Sequence, residues 1–253
     1  MFAGRATPAV PVRLDVTEAL LEAARSGDRK ALERLLALEE PRIYGFGLRM
    51  CGNPDDAREV LQETMLAVTR HIGGYRGDAK LSTWLFQLAR SACTKQRRRE
   101  RPEASALEID RAVEPGADPE RLASAAELAA LLGRALMRLN EGQREVVVLR
   151  DVEGLSAPEV AEILGLEIGA VKSRLHRARA ALAEALDREQ HRPREPHRTR
   201  CPDIVARWSE RQEGEIDHAL CAELEQHVAT CPSCRRRCHQ LEHMLVACRE
   251  PAS

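Results

Sequence analysis

Apolar residues recur along this chain at the spacing of helices, not of strands. Leu20, Leu21 and Ala24, then Ala31, Leu32, Leu35 and Leu36, fall on single helical faces. Asn53-Pro54-Asp55-Asp56 predicts a helix start, with proline in the first turn and acids near the positive end of the helix dipole. Gly73 to Asp78 predicts a loop, and Leu81 to Lys95 a further helix with Trp84, Leu85, Leu88 and Ala89 on one side. The pattern breaks in two places, at 102–119 (rich in Pro, Glu and Ala) and at 187–200 (polar and proline-punctuated), which read as linkers. Residues 1–14 carry prolines and no periodicity. The chain therefore divides into a disordered tail (1–14), a helical unit (15–101), a linker (102–119), a second helical unit (120–186), a linker (187–200) and a C-terminal segment (201–253).

Composition supports an all-α fold of small bundles. Aromatic residues make up 3% of the 253 residues, and runs of Val, Ile, Thr and Tyr of strand type are missing. Net charge is −1, so the chain as a whole is no polycation, but its cations are segregated. Lys95, Arg97, Arg98 and Arg99 form one run, and Lys172, Arg174, Arg177 and Arg179 another, which points to local anionic contacts on an otherwise acidic body. No apolar stretch approaches the roughly 20 residues that span a bilayer. The N-terminus also lacks an apolar core of signal-peptide length. A cytoplasmic protein without membrane contact is expected.

The second unit carries a helix-turn-helix pattern. Ser156-Ala157-Pro158-Glu159 fits a capping box, Val160, Ala161 and Leu164 form a short apolar face, and Gly165 is placed to stop that helix. A following helix begins near Ile168 and buries Val171, Leu175, Ala178 and Leu182. Its other face offers Ser173, His176 and Arg177, flanked by Lys172, Arg174 and Arg179. One buried stripe beside a basic, hydrogen-bonding face suits a major-groove recognition helix. Leu139 to Gly165, followed by Val171-Lys172-Ser173-Arg174-Leu175-His176-Arg177-Ala178-Arg179, resembles region 4 of extracytoplasmic-function (ECF) sigma factors. The resemblance implies reading of the −35 promoter element in double-stranded DNA and contact with the polymerase β flap. Glu167 stands where the family often has Ser or Thr; an acid there still suits the helix start.

The first unit extends the resemblance. Asp55-Asp56-Ala57-Arg58-Glu59-Val60-Leu61-Gln62-Glu63-Thr64 resembles sigma region 2.2, which implies docking of Asp55, Asp56, Glu59, Gln62 and Glu63 on the β′ coiled coil of core RNA polymerase. Tyr75 to Arg90 resembles the loop and helix that open the −10 element, which implies contact with melted promoter DNA. Ser91 replaces the family's usual Asn, and Lys95, Arg97 and Arg98 are placed to neutralise phosphates. Such a chain would be no enzyme but a dissociable specificity subunit.

Six of the eight cysteines lie between Cys201 and Cys248. His227-Val228-Ala229-Thr230-Cys231-Pro232-Ser233-Cys234, with Cys201 upstream, has the spacing of a tetrahedral N/S metal site. His227 and Cys231 are expected to share a face of one helix, and Cys201 to lie on another. The arrangement resembles the zinc-binding fold of ECF anti-sigma factors. Cys221, Cys238, Cys248, His239 and His243 are left over and are candidates for a second, sensing site. The combination resembles the CorE-like metal-responsive sigma factors, which implies a built-in switch: Zn²⁺ as structural metal, Cd²⁺ or copper as inducing ligand, and no separate anti-sigma factor required. Two other readings stay open: a zinc site released by thiol oxidation, and a metal-dependent helix-turn-helix repressor. A zinc deaminase is disfavoured, since H-x-E and P-C-x-x-C are both missing.

Overall fold

The computed structural model describes residues 11–99, 119–189 and 201–249, and the side chains within them except at 11–16, 99, 119–126, 128, 189, 240 and 243–249. Helices and turns account for the regular structure of these residues, as the periodicity predicts. The first unit comprises α1 (Pro11–Arg25), α2 (Arg29–Cys51), α3 (Pro54–His71) and α4 (Leu81–Arg99). α1 starts inside the stretch 1–14 expected as a disordered tail. Pro11 is its first residue, and a proline there has no amide to leave unpaired, so it opens a helix instead of preventing one. Asn53 caps α3 through Oδ1, which accepts from the Asp56 amide at 2.8 Å, with Pro54 next in line. Gly52 ends α2 in the left-handed region at φ 86°, and a Cβ there would strike Met137 of the second unit. Phe46 and Phe86, both fully buried, meet at 5.2 Å in the centre of this unit.

The second unit comprises α5 (Pro119–Met137), α6 (Glu141–Val147), a π-helical turn (Val148–Val152), α7 (Ala157–Leu164) and α8 (Ile168–Glu189). Both halves of the Ser156–Glu159 capping box are made, and Gly165 closes α7 at φ 65°. The expected stripe of α8 is buried throughout, with Val171, Leu175, Ala178 and Leu182 at 0% exposure. The π-helical turn widens the backbone ladder, with Glu153 N–H reaching Val148 O at 2.9 Å, and it aims Asp151 inward at α8. The C-terminal segment adds α9 (Ile204–Gln212), α10 (His218–Thr230) and α11 (Pro232–Arg249). Ile204, Val205, Trp208 and Leu241 join the same contiguous apolar core as the first two units.

Ion pairs tie the first unit to the second. Arg42 meets Glu153 at 2.9 Å, Arg90 meets Glu145 at 2.8 Å, Lys80 meets Glu159 at 3.1 Å and Arg97 meets Glu141 at 3.0 Å. Arg144 reaches back to the Met50 carbonyl at 2.8 Å. Glu153 is deeply buried, and burial holds its carboxyl above the usual range despite Arg42. A carboxyl raised in the fold favours folding when protonated, and that contribution is lost as pH rises through its folded pKa. Replacing Arg42 by Met removes the partner and keeps most of the stem over Phe86. We expect a cost of about 2 kcal/mol at neutral pH, below the ~3–5 kcal/mol of a fully enclosed pair because Arg42 is partly open to water. The cost should shrink as pH falls and Glu153 takes up its proton, which its raised carboxyl does earlier than an ordinary glutamate. Thermal melts of wild type and Arg42→Met from neutral to acid pH check this.

Candidate nucleic-acid interface and metal centre

α8 presents its expected basic residues in three different environments. Ser173 and Arg177 are exposed, and the Arg177 guanidinium folds back on the Ser173 carbonyl at 3.2 Å and its hydroxyl at 3.4 Å. Arg174 is half-buried against Gly142 of α6. Lys172 and His176 both reach Glu215, at 2.8 and 3.1 Å.

Arg179 departs from expectation. The sequence pattern groups it with the DNA-facing cations, but its side chain is 1% exposed. Its guanidinium donates to Asp151 at 2.9 and 2.6 Å, to the Ser209 hydroxyl at 2.8 Å and to Glu213 at 3.0 Å, and it lies over the Trp208 ring at 5.6 Å. Burial opposes the charge, yet Asp151 and Glu213 outweigh it and hold the group above its ordinary pKa. A residue whose donors are committed inside the protein has none for a phosphate. Arg150 completes the set by reaching Glu213 at 3.1 Å. Two cations and two carboxylates thus balance within one buried cluster that joins the π-helical turn, α8 and α9.

In the first unit Ser91, Lys95 and Arg98 are exposed along α4, with Lys95 at 3.8 Å from Glu63. Arg97 is turned towards Glu141 of the second unit. Asp55, Glu59 and Gln62 are exposed on α3, and Gln62 edges an apolar groove formed with Leu36, Leu61 and Met65. Asp56 does not belong with them. It is buried, accepting from Gln96 at 3.0 Å and holding the start of α3, so it is a structural carboxylate and not a docking one.

The cysteine-rich segment gathers Cys201, His227, Cys231 and Cys234, with their ligand atoms all within 4.8 Å of one another. The local structure differs from expectation at two ligands. Cys201 lies in the irregular stretch before α9, whose cap is Asp203. Cys231 is the residue after α10, with φ −104° and ψ 109°, so it and His227 share no helical face, although its amide still reaches the His227 carbonyl at 2.8 Å. Pro232 then opens α11 and brings Cys234 round. Cys201 Sγ and Cys231 Sγ are 3.9 Å apart, and His227 Nε2 and Cys234 Sγ 3.2 Å. Thiolates about 2.3 Å from a tetrahedral Zn²⁺ stand about 3.8 Å from each other, so this donor set fits zinc closely. Backbone donation from Cys234 holds the Cys231 thiol below its usual range, whereas burial pushes Cys234 up to about 12. Among the described residues no second group of three or more donors gathers. Burial pushes Cys238 up to about 11, the mark of a packed thiol. The side chains of His243 and Cys248 lie outside the described ones.

Sequence comparisons follow the same division. A sigma-70 region 2 model matches residues 35–103, a sigma-70 region 4 model matches 129–182, and a zinc-finger model matches 201–235. The ECF RNA polymerase sigma factor SigM of Mycobacterium tuberculosis is 38% identical over 167 residues, covering 66% of this chain and 83% of SigM. The chain belongs to the ECF sigma factors. The sigma factor CarQ of Myxococcus xanthus is 36% identical, covering 66% of this sigma factor and 95% of CarQ. Among solved structures, the sigma factor RpoE of Bartonella quintana, in complex with the anti-sigma factor NepR, superposes with a TM-score of 0.53 at 26% identity, covering 62% of this chain and 98% of RpoE. That complex removes the ground for expecting that no separate anti-sigma factor is required, and the expectation is withdrawn. Sigma factors bind core polymerase and promoter DNA and are not enzymes. No helix among the described residues of this sigma factor is long and apolar enough to cross a membrane.

Neither Glu213 nor Glu215 was singled out from sequence. The available signal was charge complementarity, since Glu213-Gly214-Glu215 is an acidic turn in the same chain as the basic α8. For the metal centre, the purified protein is expected to carry about one zinc ion per chain. Cys231→Ala should lose it under mild chelation that leaves wild type loaded, as measured by elemental analysis after dialysis.

Proposed function

We propose that this sigma factor is controlled in cis by a metal ion held by its C-terminal domain. The observation that supports this best is that Cys201, the first ligand, leads directly into α9, which is packed on α8 through the Arg179 cluster. In this reading Cys201, His227, Cys231 and Cys234 would hold Zn²⁺, which would tie the start of α9 to the α10–α11 junction. Mixed imidazole and thiolate donors favour Zn²⁺ or Cd²⁺ over Cu⁺. A metal acts on transcription only by binding one arrangement of the domains better than the other. Genes of metal stress, as in the CorE-like group, are the natural targets.

Within that reading, Ser173, Arg177, Lys172, His176 and Arg174 face the −35 duplex, while Ser91, Lys95 and Arg98 approach the −10 region. Asp55, Glu59, Gln62 and Glu63 dock on core polymerase beside the Leu36–Leu61–Met65 groove. The proximity of Cys201 and Cys231 at 3.9 Å also favours a second reading, in which an oxidant joins the two thiols and expels the metal. Run-off transcription with core polymerase, across Zn²⁺, Cd²⁺ and Cu⁺, is expected to change several-fold with at least one metal for wild type and not for Cys231→Ala. Indifference to all three, with a response to peroxide accompanied by zinc release, would favour the redox reading.

A further inference from the structure

We propose that the acidic turn joining α9 to α10 stands in for DNA phosphate on the recognition helix, so that this turn and a promoter duplex exclude each other. The inference deepens the cis control proposed above and rests on α8 being the duplex-reading helix. The carboxylate of Glu215 bridges Lys172 Nζ at 2.8 Å and His176 Nε2 at 3.1 Å, two cationic or donor groups one helical turn apart on α8. A carboxylate with two oxygens on two donors copies what a backbone phosphate does with its non-bridging oxygens. The donation from Lys172 and His176 holds the Glu215 carboxyl below the usual range, so it is an anion at neutral pH.

Two further features set the turn in place. Glu213, two residues earlier, is anchored by Arg179 at 3.0 Å and Arg150 at 3.1 Å. Gly214 between them takes φ 69°, a left-handed conformation that lets successive carboxylates approach α8 from one side. On the other side Asp217 caps α10 through the Leu220 amide at 2.8 Å, which fixes where the turn ends.

Successive residues of α8 are about 100° apart around its axis, which places Arg179, Lys172 and His176 along one flank of the buried stripe and Ser173 and Arg177 beyond it. The turn covers that flank and leaves Ser173 and Arg177 exposed. A duplex docking on α8 needs Lys172 and His176 for phosphates and would bring a second anion to the place where Glu215 lies. Repulsion between the two anions, as well as the loss of two donors, makes the states mutually exclusive.

Phosphate contacts are independent of base sequence, so a short mixed-sequence duplex reads the competition without knowledge of the promoter. The full-length, zinc-loaded chain is titrated with such a duplex by fluorescence anisotropy over a range of salt. Glu215→Gln is partly exposed and outside the Arg179 cluster, so it should fold like wild type. It is expected to bind on the order of tenfold more tightly at low salt, with a slope of log K against log salt steeper by about one to two contacts. Glu210→Gln removes the same charge from α9, but Glu210 pairs with Arg207 and not with α8, and it should bind like wild type. Equal affinity and slope for wild type and Glu215→Gln overturn the proposal, as does an equal gain in Glu210→Gln. Core polymerase binding, measured alongside, keeps the two readings separate: a chain that binds core but shows no effect of Glu215→Gln remains a sigma factor without this exclusion.

Discussion

The burial of Arg179 organises the whole second half of the molecule. A guanidinium inside an apolar core is tolerated only when its donors are satisfied and its charge is met. Asp151 supplies two bonds from within the second unit, and Ser209 and Glu213 supply the rest from the C-terminal domain. The π-helical turn exists in this context, because it is what points Asp151 inward. Glu213 would itself be costly to bury without Arg150. Removing any one member leaves an uncompensated charge, so the cluster fixes the register of α9 on α8 far more strictly than Trp208 and Val205 could through apolar contact. Everything beyond α9 then inherits its position: the acidic turn on one side and, through Cys201, the metal ligands on the other.

A large part of this was legible in the sequence, and for local reasons. Caps and stops are short-range chemistry, so Asn53, the Ser156–Glu159 box and Gly165 could be read from neighbours a few residues away. The buried stripe of α8 follows from spacing alone. The metal quartet was legible because imidazole and thiolates in a polar segment have few other uses. Arg179 is not legible in this way, because its charge points to solvent while its position does not. It lies four residues after Leu175 and three before Leu182, on the edge of the buried stripe, and only a partner from a distant segment makes that edge an interior. Asp56 fails in the same way, since its fate depends on Gln96, forty residues on. Pairings such as Arg42–Glu153 and Lys172–Glu215 join elements far apart in the chain, and no local pattern announces them.

The first two units are held together by a different kind of contact. Their ion pairs are open to water mainly on the cation side: Arg42 on α2, Lys80 just before α4, and Arg90 and Arg97 on α4 meet acids of the helix-turn-helix unit, of which Glu145 and Glu153 are buried. The more exposed of these pairs, Lys80–Glu159 and Arg97–Glu141, are weak and respond to salt. They join region 2 to region 4 through cations that keep some contact with water, whereas the Arg179 cluster binds the C-terminal domain to region 4 through groups shielded from solvent.

Energetic scale separates the roles of the metal and of the acidic turn. Ligation of zinc by a quartet of this kind contributes about 10–16 kcal/mol to the folding of a small domain, whereas each exposed charge contact of the turn is worth about 1 kcal/mol or less. On the proposed reading, DNA would be too weak a competitor to displace a bound zinc ion but strong enough to compete with Glu215 for Lys172 and His176. On the same reading, a bound zinc ion would hold α9 and the α10–α11 junction as one body. The occupant of the recognition helix would then be decided by a balance of weak charge contacts that salt and duplex can each shift. Placing the carboxylates on a turn between two segments that carry metal ligands, and not within the ligand set itself, would let one domain combine a permanent fold with a reversible grip.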